Sequence, residues 1–170
     1  VIPTIGGREH LLEQTLDGFR RTAAGDAELV IVRDRPRIGV AWNDGARSAK
    51  GAYLMLAADD IIPADGWLDA AIDAAENGDW PSPRILNRDG SLHSCGTMGA
   101  GLLLGDTADG VVCGTSPFPF MVRQDWDRVG PCLPIQYYAD DFLAFRARSM
   151  GLVPRVCRGY ELTHLEGTFG

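Results

Sequence analysis

Tyr53-Leu-Met-Leu-Ala-Ala-Asp-Asp-Ile-Ile-Pro63 is an apolar run that stops abruptly on two adjacent carboxylates, Asp59 and Asp60. A continuous apolar stretch bounded by polar residues reads as a buried strand. Ending such a strand on acids presents hard oxygen ligands at the edge of a sheet, where α/β proteins bind ligands. Carboxylate oxygens suit Mg²⁺ or Mn²⁺, and these cations commonly neutralise the phosphates of a nucleotide. The same acids also read as a solvated turn capping the helix that follows Pro63, and the stretch taken alone leaves both readings open.

Outward from this strand the pattern alternates. Residues 1–5 read as a strand, and 9–23 carry Leu12, Leu16, Phe19 and Ala23 at helical spacing before Gly25 stops them. Leu29-Val-Ile-Val32 reads as a second buried strand ending at Asp34, residues 43–49 as a short helix, and 53–58 as the third strand. Asp65 then reads as the N-cap of a helix through Glu76, with Trp67, Leu68, Ala71, Ile72 and Ala75 facing inward. Strand and helix alternating this closely imply a mainly parallel sheet flanked by helices, Rossmann-like in type.

The second half changes character. Residues 84–93 form two short β-like runs around Asp89-Gly90, a hairpin signal, and a Gly-rich stretch from 96 to 114 reads as a loop over a site. Residues 117–122 read as a strand, and 124–129 as one helical turn ended by Gly130. Residues 139–150 read as a helix with Leu143, Ala147 and Met150 on one face and Gly151 at its end.

Composition narrows the class. With 170 residues and 45% hydrophobic content the chain reads as one domain, able to bury roughly 70% of its unfolded surface without staples. Cys95, Cys113, Cys132 and Cys157 lie too far apart for a CxxC pair or a zinc spacing, and read as reduced core thiols of a cytoplasmic protein. No apolar stretch reaches the ~20 residues of a membrane helix. A net charge of -7 argues against a broad nucleic-acid footprint, yet Arg33, Arg35, Arg37, Arg47 and Lys50 cluster locally. That cluster suits a phosphate-bearing ligand, or, with Asp34 and Asp44 among it, a charge-balanced surface.

Taken in order, the segments resemble the family 2 glycosyltransferases of GT-A fold, and among them the rhamnosyltransferase-like branch. The resemblance rests on Val1-Ile-Pro-Thr4 as the opening strand, on Asp34 after the second strand, and on Gly39 with Asn43-Asp-Gly-Ala-Arg-Ser-Ala-Lys-Gly51 as a G…N-x-G-x-x-x-A-x-G segment. It rests further on the acidic-aromatic turn at 125–130, on Tyr137-Tyr-Ala-Asp-Asp-Phe-Leu-Ala-Phe-Arg-Ala-Arg-Ser-Met-Gly151 as the Y-Y-E-D helix, and on His164 with Gly167 as a closing H-x-x-G. Two acids depart from the family pattern: D-x-D becomes Ala57-Ala58-Asp59, and E-D becomes Ala139-Asp140. Trp42 stands where an Arg often precedes the Asn, and the 34–39 connection is short.

The resemblance implies a single domain over 1–170, with 1–80 binding the nucleotide sugar and 81–170 carrying the acceptor and catalytic side. It implies an inverting, metal-assisted transfer from a nucleoside-diphosphate sugar, a UDP- or dTDP-sugar, to a hydroxyl of a glycan, lipid-linked sugar, protein or modified nucleobase. Donor contacts fall on Pro3, Thr4, Arg8, Asp34, Gly39, Asn43, Ala58 and Asp59, and a Mn²⁺ or Mg²⁺ ion on Asp59, Asp60 and His164. Trp126, Tyr138 and Asp141 fall on the acceptor side. Asp140 is the implied base, and burial beside Tyr137, Tyr138 and Phe142 would raise its pKa against the pull of the helix N-terminus. His10 and His93 lack any partner pattern and read as surface residues. The lost acids leave a second reading, a sugar-nucleotide-binding domain that turns over weakly; an unrelated nucleotide-binding α/β domain is a third, against which Asp140 and His164 argue.

Overall fold

The computed structural model describes every residue except 24, 26, 97–108, 111, 115 and 167–170. In chain order the elements are β1 (Ile2–Thr4), α1 (Glu9–Thr22), β2 (Ile31–Arg33), α2 (Ile38–Ser48), β3 (Tyr53–Met55), β4 (Ile61–Pro63), α3 (Trp67–Glu76), β5 (Trp80–Leu86), β6 (Leu92–Ser94), β7 (Phe120–Val122), α4 (Arg123–Val129), α5 (Ala139–Ser149) and β8 (Pro154–His164). β1 runs parallel to β2, and on its other side the Val1 carbonyl accepts from Ala57 N at 2.8 Å, which places β3 alongside. β7 extends this side antiparallel to β3, Leu54 opposite Met121. A second sheet has the order β4-β8-β5-β6, in which β8 is parallel to β5 and antiparallel to β4.

The period of two in these strands sorts the core into two halves. Leu54 and Met121 pack with Trp42, Trp80, Trp126 and Leu143, whereas their neighbours Met55 and Phe120 pack with Ile2, Leu16, Phe19 and Trp67. Successive strand side chains point to opposite faces, so β3 and β7 are covered on both. This is why residues 53–57 read as unbroken apolar sequence. The acids of that stretch follow where the cover ends.

The expected elements recur with shifted bounds and two additions. α2 begins at Ile38 rather than 43, because nothing between 38 and 43 breaks a helix and Gly39 is tolerated inside it. β2 is an edge strand with Ile31 exposed, not a buried one, since among the described residues only β1 pairs with it. Gly66, at φ 79°, precedes α3 in place of Asp65, whose carboxylate instead pairs with Arg21. The hairpin forms around Gly90, although its first strand begins at Trp80. Met150 is exposed just past the end of α5, not part of its buried face. β4 and β8 were not expected as strands, and most of the Gly-rich stretch 96–114 lies outside the described residues. All four cysteines are free, three of them buried.

Gly39 and Asn43 turn one face of α2 into a backbone clamp. A Cβ at Gly39 would stand 1.9 Å from the Leu133 carbonyl oxygen, while the Asn43 side chain donates to Cys132 O at 2.9 Å and accepts from Cys132 N at 2.8 Å. Together they pin the 130–136 segment that leads into α5. Gly39→Ala should therefore destabilise the fold by about 1–3 kcal/mol through overpacking. Gly6→Ala, where an added Cβ meets nothing within 4 Å, should cost roughly 0.5 kcal/mol or less. Urea unfolding of both variants checks this, and equal costs would contradict the clamp.

Candidate active site

A cavity of about 310 Å³ opens at the carboxyl ends of β1 and β3, lined by Pro3, Thr4, Arg8, Arg35, Arg37, Ala58, Asp59, Asp60, Gln136, Tyr137 and His164 among others. A second cavity, about 330 Å³, lies toward the amino ends of the same strands under Phe19, Tyr53 and Trp67, and among the described residues Glu28 is the one charged side chain lining it. The first lies on the side of the sheet where open α/β folds bind ligands.

The cavity's floor is an ion-paired cluster built from four parts of the chain. β1 ends on Thr4, whose hydroxyl donates to Asp59 Oδ2 at 2.6 Å. The turn before α1 supplies Arg8, whose Nε donates to Asp59 Oδ1 and Oδ2 at 3.0 and 3.2 Å and whose Nη2 donates to Asp60 Oδ2 at 2.7 Å. Antiparallel pairing of β4 with β8 sets His164 opposite Ile61 and brings its Nε2 to 3.5 Å from Asp60 Oδ2. Beyond the strand, Leu165 N donates to Asp60 O at 2.7 Å and Glu166 accepts from Arg8 Nη1 at 2.8 Å.

Burial alone would raise the Asp60 carboxyl, but the hydrogen bond and charge of His164, joined by Arg8, hold it below its ordinary value. Burial likewise opposes the Arg8 charge and is outweighed by Asp59, Glu166 and Asp60.

Asp59, Asp60 and His164 thus meet as expected, but around a guanidinium rather than as an open ligand set. Both Asp59 oxygens and one Asp60 oxygen are engaged; of these four carboxylate oxygens, Asp60 Oδ1 is the one buried with no hydrogen-bond partner among the described residues. A dication drawn to it would stand close to Arg8, where like charges at 4 Å repel by about 4 kcal/mol per unit charge at an effective dielectric of 20. Among the described residues no group of three or more His, Cys, Asp or Glu side chains is arranged to hold a metal ion. As folded, the donors do not fit the divalent cation that the sequence led us to expect.

The other expected site residues divide. Pro3, Thr4, Arg8, Ala58 and Asp59 line the cavity; Asp34, Gly39 and Asn43 do not. Asp34 is exposed, at φ 54°, and its Oδ1 accepts from Gly6 N at 3.2 Å, so it shapes the loop after β1. Trp126, expected on the acceptor side, is a core residue in contact distance of Gly130, because α4 turns its ring under the sheet. His93 is half-buried rather than fully exposed, because the β5–β6 hairpin stacks its ring 5.9 Å from that of His164. Burial and the neighbouring His164 lower its pKa. Sequence offered no signal for that contact beyond the hairpin itself.

The remaining expected residues lie on and just before α5. Tyr138 precedes it at φ 64°, a conformation bulky side chains rarely adopt. Tyr137 lines the cavity, whereas Tyr138, Phe142 and Phe145 are exposed along the helix. Asp140 stands in the first turn, half-buried, one turn from Tyr137 and outside the lining itself. Burial and the Asp141 charge push its carboxyl up to about 6, against hydrogen bonds from the helix backbone. Burial, and then the Asp140 charge, push the Cys132 thiol up to about 12, so Cys132 is no competing nucleophile.

No family model and no curated protein matches the chain. Solved structures do. S. aureus TarS aligns over 96% of this chain with a TM-score of 0.69 at 12% identity, and the matched region is 35% of TarS. The crystal structure of GalNAc-T7 with UDP, GalNAc and Mn²⁺ aligns over 97% of this chain with a TM-score of 0.64 at 16% identity, over 38% of its own length. The chain spans little more than a third of either protein. The likeness is one of fold, and the fold is that of the GT-A glycosyltransferases, a mixed α/β domain.

Proposed function

We propose that this chain is the donor-binding and catalytic domain of an inverting glycosyltransferase, of hexosyl- or rhamnosyltransferase type. It would move a sugar from a nucleoside-diphosphate sugar, a UDP- or dTDP-sugar, to an acceptor hydroxyl. The observation that carries this reading is the cavity at the carboxyl ends of β1 and β3, where Arg8, Arg35 and Arg37 face the space a diphosphate would take. A guanidinium is planar, permanently charged and matched to phosphate oxygens. GalNAc-T7, alike in fold, was crystallised with UDP and Mn²⁺, and this chain carries Arg8 at its acids.

In the proposed step, the acceptor oxygen attacks the anomeric carbon from the face opposite the diphosphate and its proton passes to the Asp140 carboxylate. The bond from the anomeric carbon to the diphosphate oxygen breaks, and its electron pair leaves with the nucleoside diphosphate. A base with a pKa of about 6 is ionised at neutral pH yet more basic than an ordinary carboxylate. The exposed rings of Tyr138 and Phe142 beside it form an apolar surface suited to a glycan, lipid-linked sugar, protein or modified-nucleobase acceptor.

Asp140→Asn keeps the shape of the side chain and removes the base, so turnover should fall by roughly 10² to 10⁴ while UDP binding persists. Asp141→Asn, about 100° around the helix, should cost far less. Single-turnover rates decide between them, and a dead Asp141→Asn beside a near-normal Asp140→Asn would overturn the assignment.

A companion prediction needs no substrate. A carboxyl raised above its unfolded value of about 3.9 adds stability at low pH that is lost as pH climbs through the folded pKa of about 6. Wild type should therefore lose stability relative to Asp140→Asn between about pH 4 and pH 6, with no further divergence above. Thermal unfolding across that range measures it; a constant difference would contradict the raised pKa.

A further inference from the structure

Resting on the donor site proposed above, we infer that Arg8 is that site's resident cation: its guanidinium, laid across Asp59 and Asp60, neutralises the donor's diphosphate in place of a divalent metal. Three features of the geometry lead there. First, the guanidinium sits on the same oxygens a metal would need, with Nε on Asp59 and Nη2 on Asp60, and Thr4 fixes Asp59 from behind. Second, Arg8 is not consumed by these contacts. Of its five N–H groups, one on Nε, one on Nη2 and one on Nη1 are engaged, which leaves two, and the side chain is 27% exposed in the cavity wall. Third, the Nη1 partner is exchangeable. Glu166 is 50% exposed and lies just past the end of β8, so a phosphate oxygen can take its place on Arg8 without disturbing the buried pairs.

The charges of the lining agree with this. It carries three guanidiniums, on Arg8, Arg35 and Arg37, against two carboxylates, on Asp59 and Asp60, with Arg35 also paired to Asp44 at 2.6 Å and Arg8 to Glu166 at 2.8 Å from outside the lining. The first acid of the D-x-D pattern is absent, with Ala57 in its place, so the buried acids that Arg8 meets are Asp59 and Asp60, and its third partner, Glu166, is half exposed. Arg8 would also stabilise the negative charge that gathers on the diphosphate as the glycosidic bond breaks, as preorganised cations do in phosphate chemistry.

Calorimetric titration of UDP and dTDP into the protein tests this, once in EDTA and once in Mn²⁺, for wild type, Arg8→Gln and Arg8→Lys, with circular dichroism as the check on folding. Wild type should bind a nucleotide with affinities within about twofold in the two buffers. Arg8→Gln should lose about tenfold or more in EDTA and recover part of it in Mn²⁺, because its freed carboxylates can then ligate the ion. Arg8→Lys keeps the charge but not the fork, and should bind more weakly than wild type without acquiring metal dependence. Wild-type binding that vanishes in EDTA and returns with Mn²⁺ would overturn the role of Arg8 while leaving the donor site standing. Wild-type protein that binds neither nucleotide in either buffer would overturn the donor site, and this inference with it.

Discussion

The guanidinium of Arg8, held across the carboxylates of Asp59 and Asp60, is the interaction on which the site depends. Two adjacent acids that are each less than a tenth exposed repel one another unless a cation lies between them. Arg8 comes from the turn before α1, the acids from the end of the β3 run, and His164 and Glu166 from the far end of the chain. One ion cluster therefore ties the start, middle and end of the chain to the same point of the sheet. Taking away a single partner would leave the others buried and uncompensated, which costs more than the contact itself contributes.

The second constraint is the clamp between α2 and the 130–136 segment. It sets where α5 begins, and so where Tyr137 reaches the cavity and where Asp140 stands. Gly39 and Asn43 look in sequence like ligand contacts. In the fold they serve the site at one remove, by holding backbone to backbone. Sequence signatures of this kind record that a position matters and do not separate contact with a ligand from support of a loop.

Much of the fold was legible wherever local periodicity and burial coincide. α1, α3 and α5 show helical spacing, and the β3 run is apolar because both its faces are covered. β8 was not legible. Its alternation of Val156, Tyr160, Leu162 and His164 is interrupted at Arg158-Gly159, where the register against β5 shifts. The site was legible in its members more than in its wiring. Asp59, Asp60 and His164 were expected together, but the pairing of β4 with β8 that joins them spans about a hundred residues. The engagement of Arg8 with both acids is equally non-local, and so is the stacking of His93 on His164. No spacing rule reports such contacts.

The most direct measurement of the central claim is a crystal structure of the protein grown with UDP and EDTA. The account predicts the diphosphate in the cavity at the ends of β1 and β3, with its oxygens on Arg8, Glu166 displaced from Nη1, and Asp59 still held by Thr4 and Arg8. UDP bound elsewhere, or bound in this cavity with Arg8 swung away from the phosphates, would contradict it.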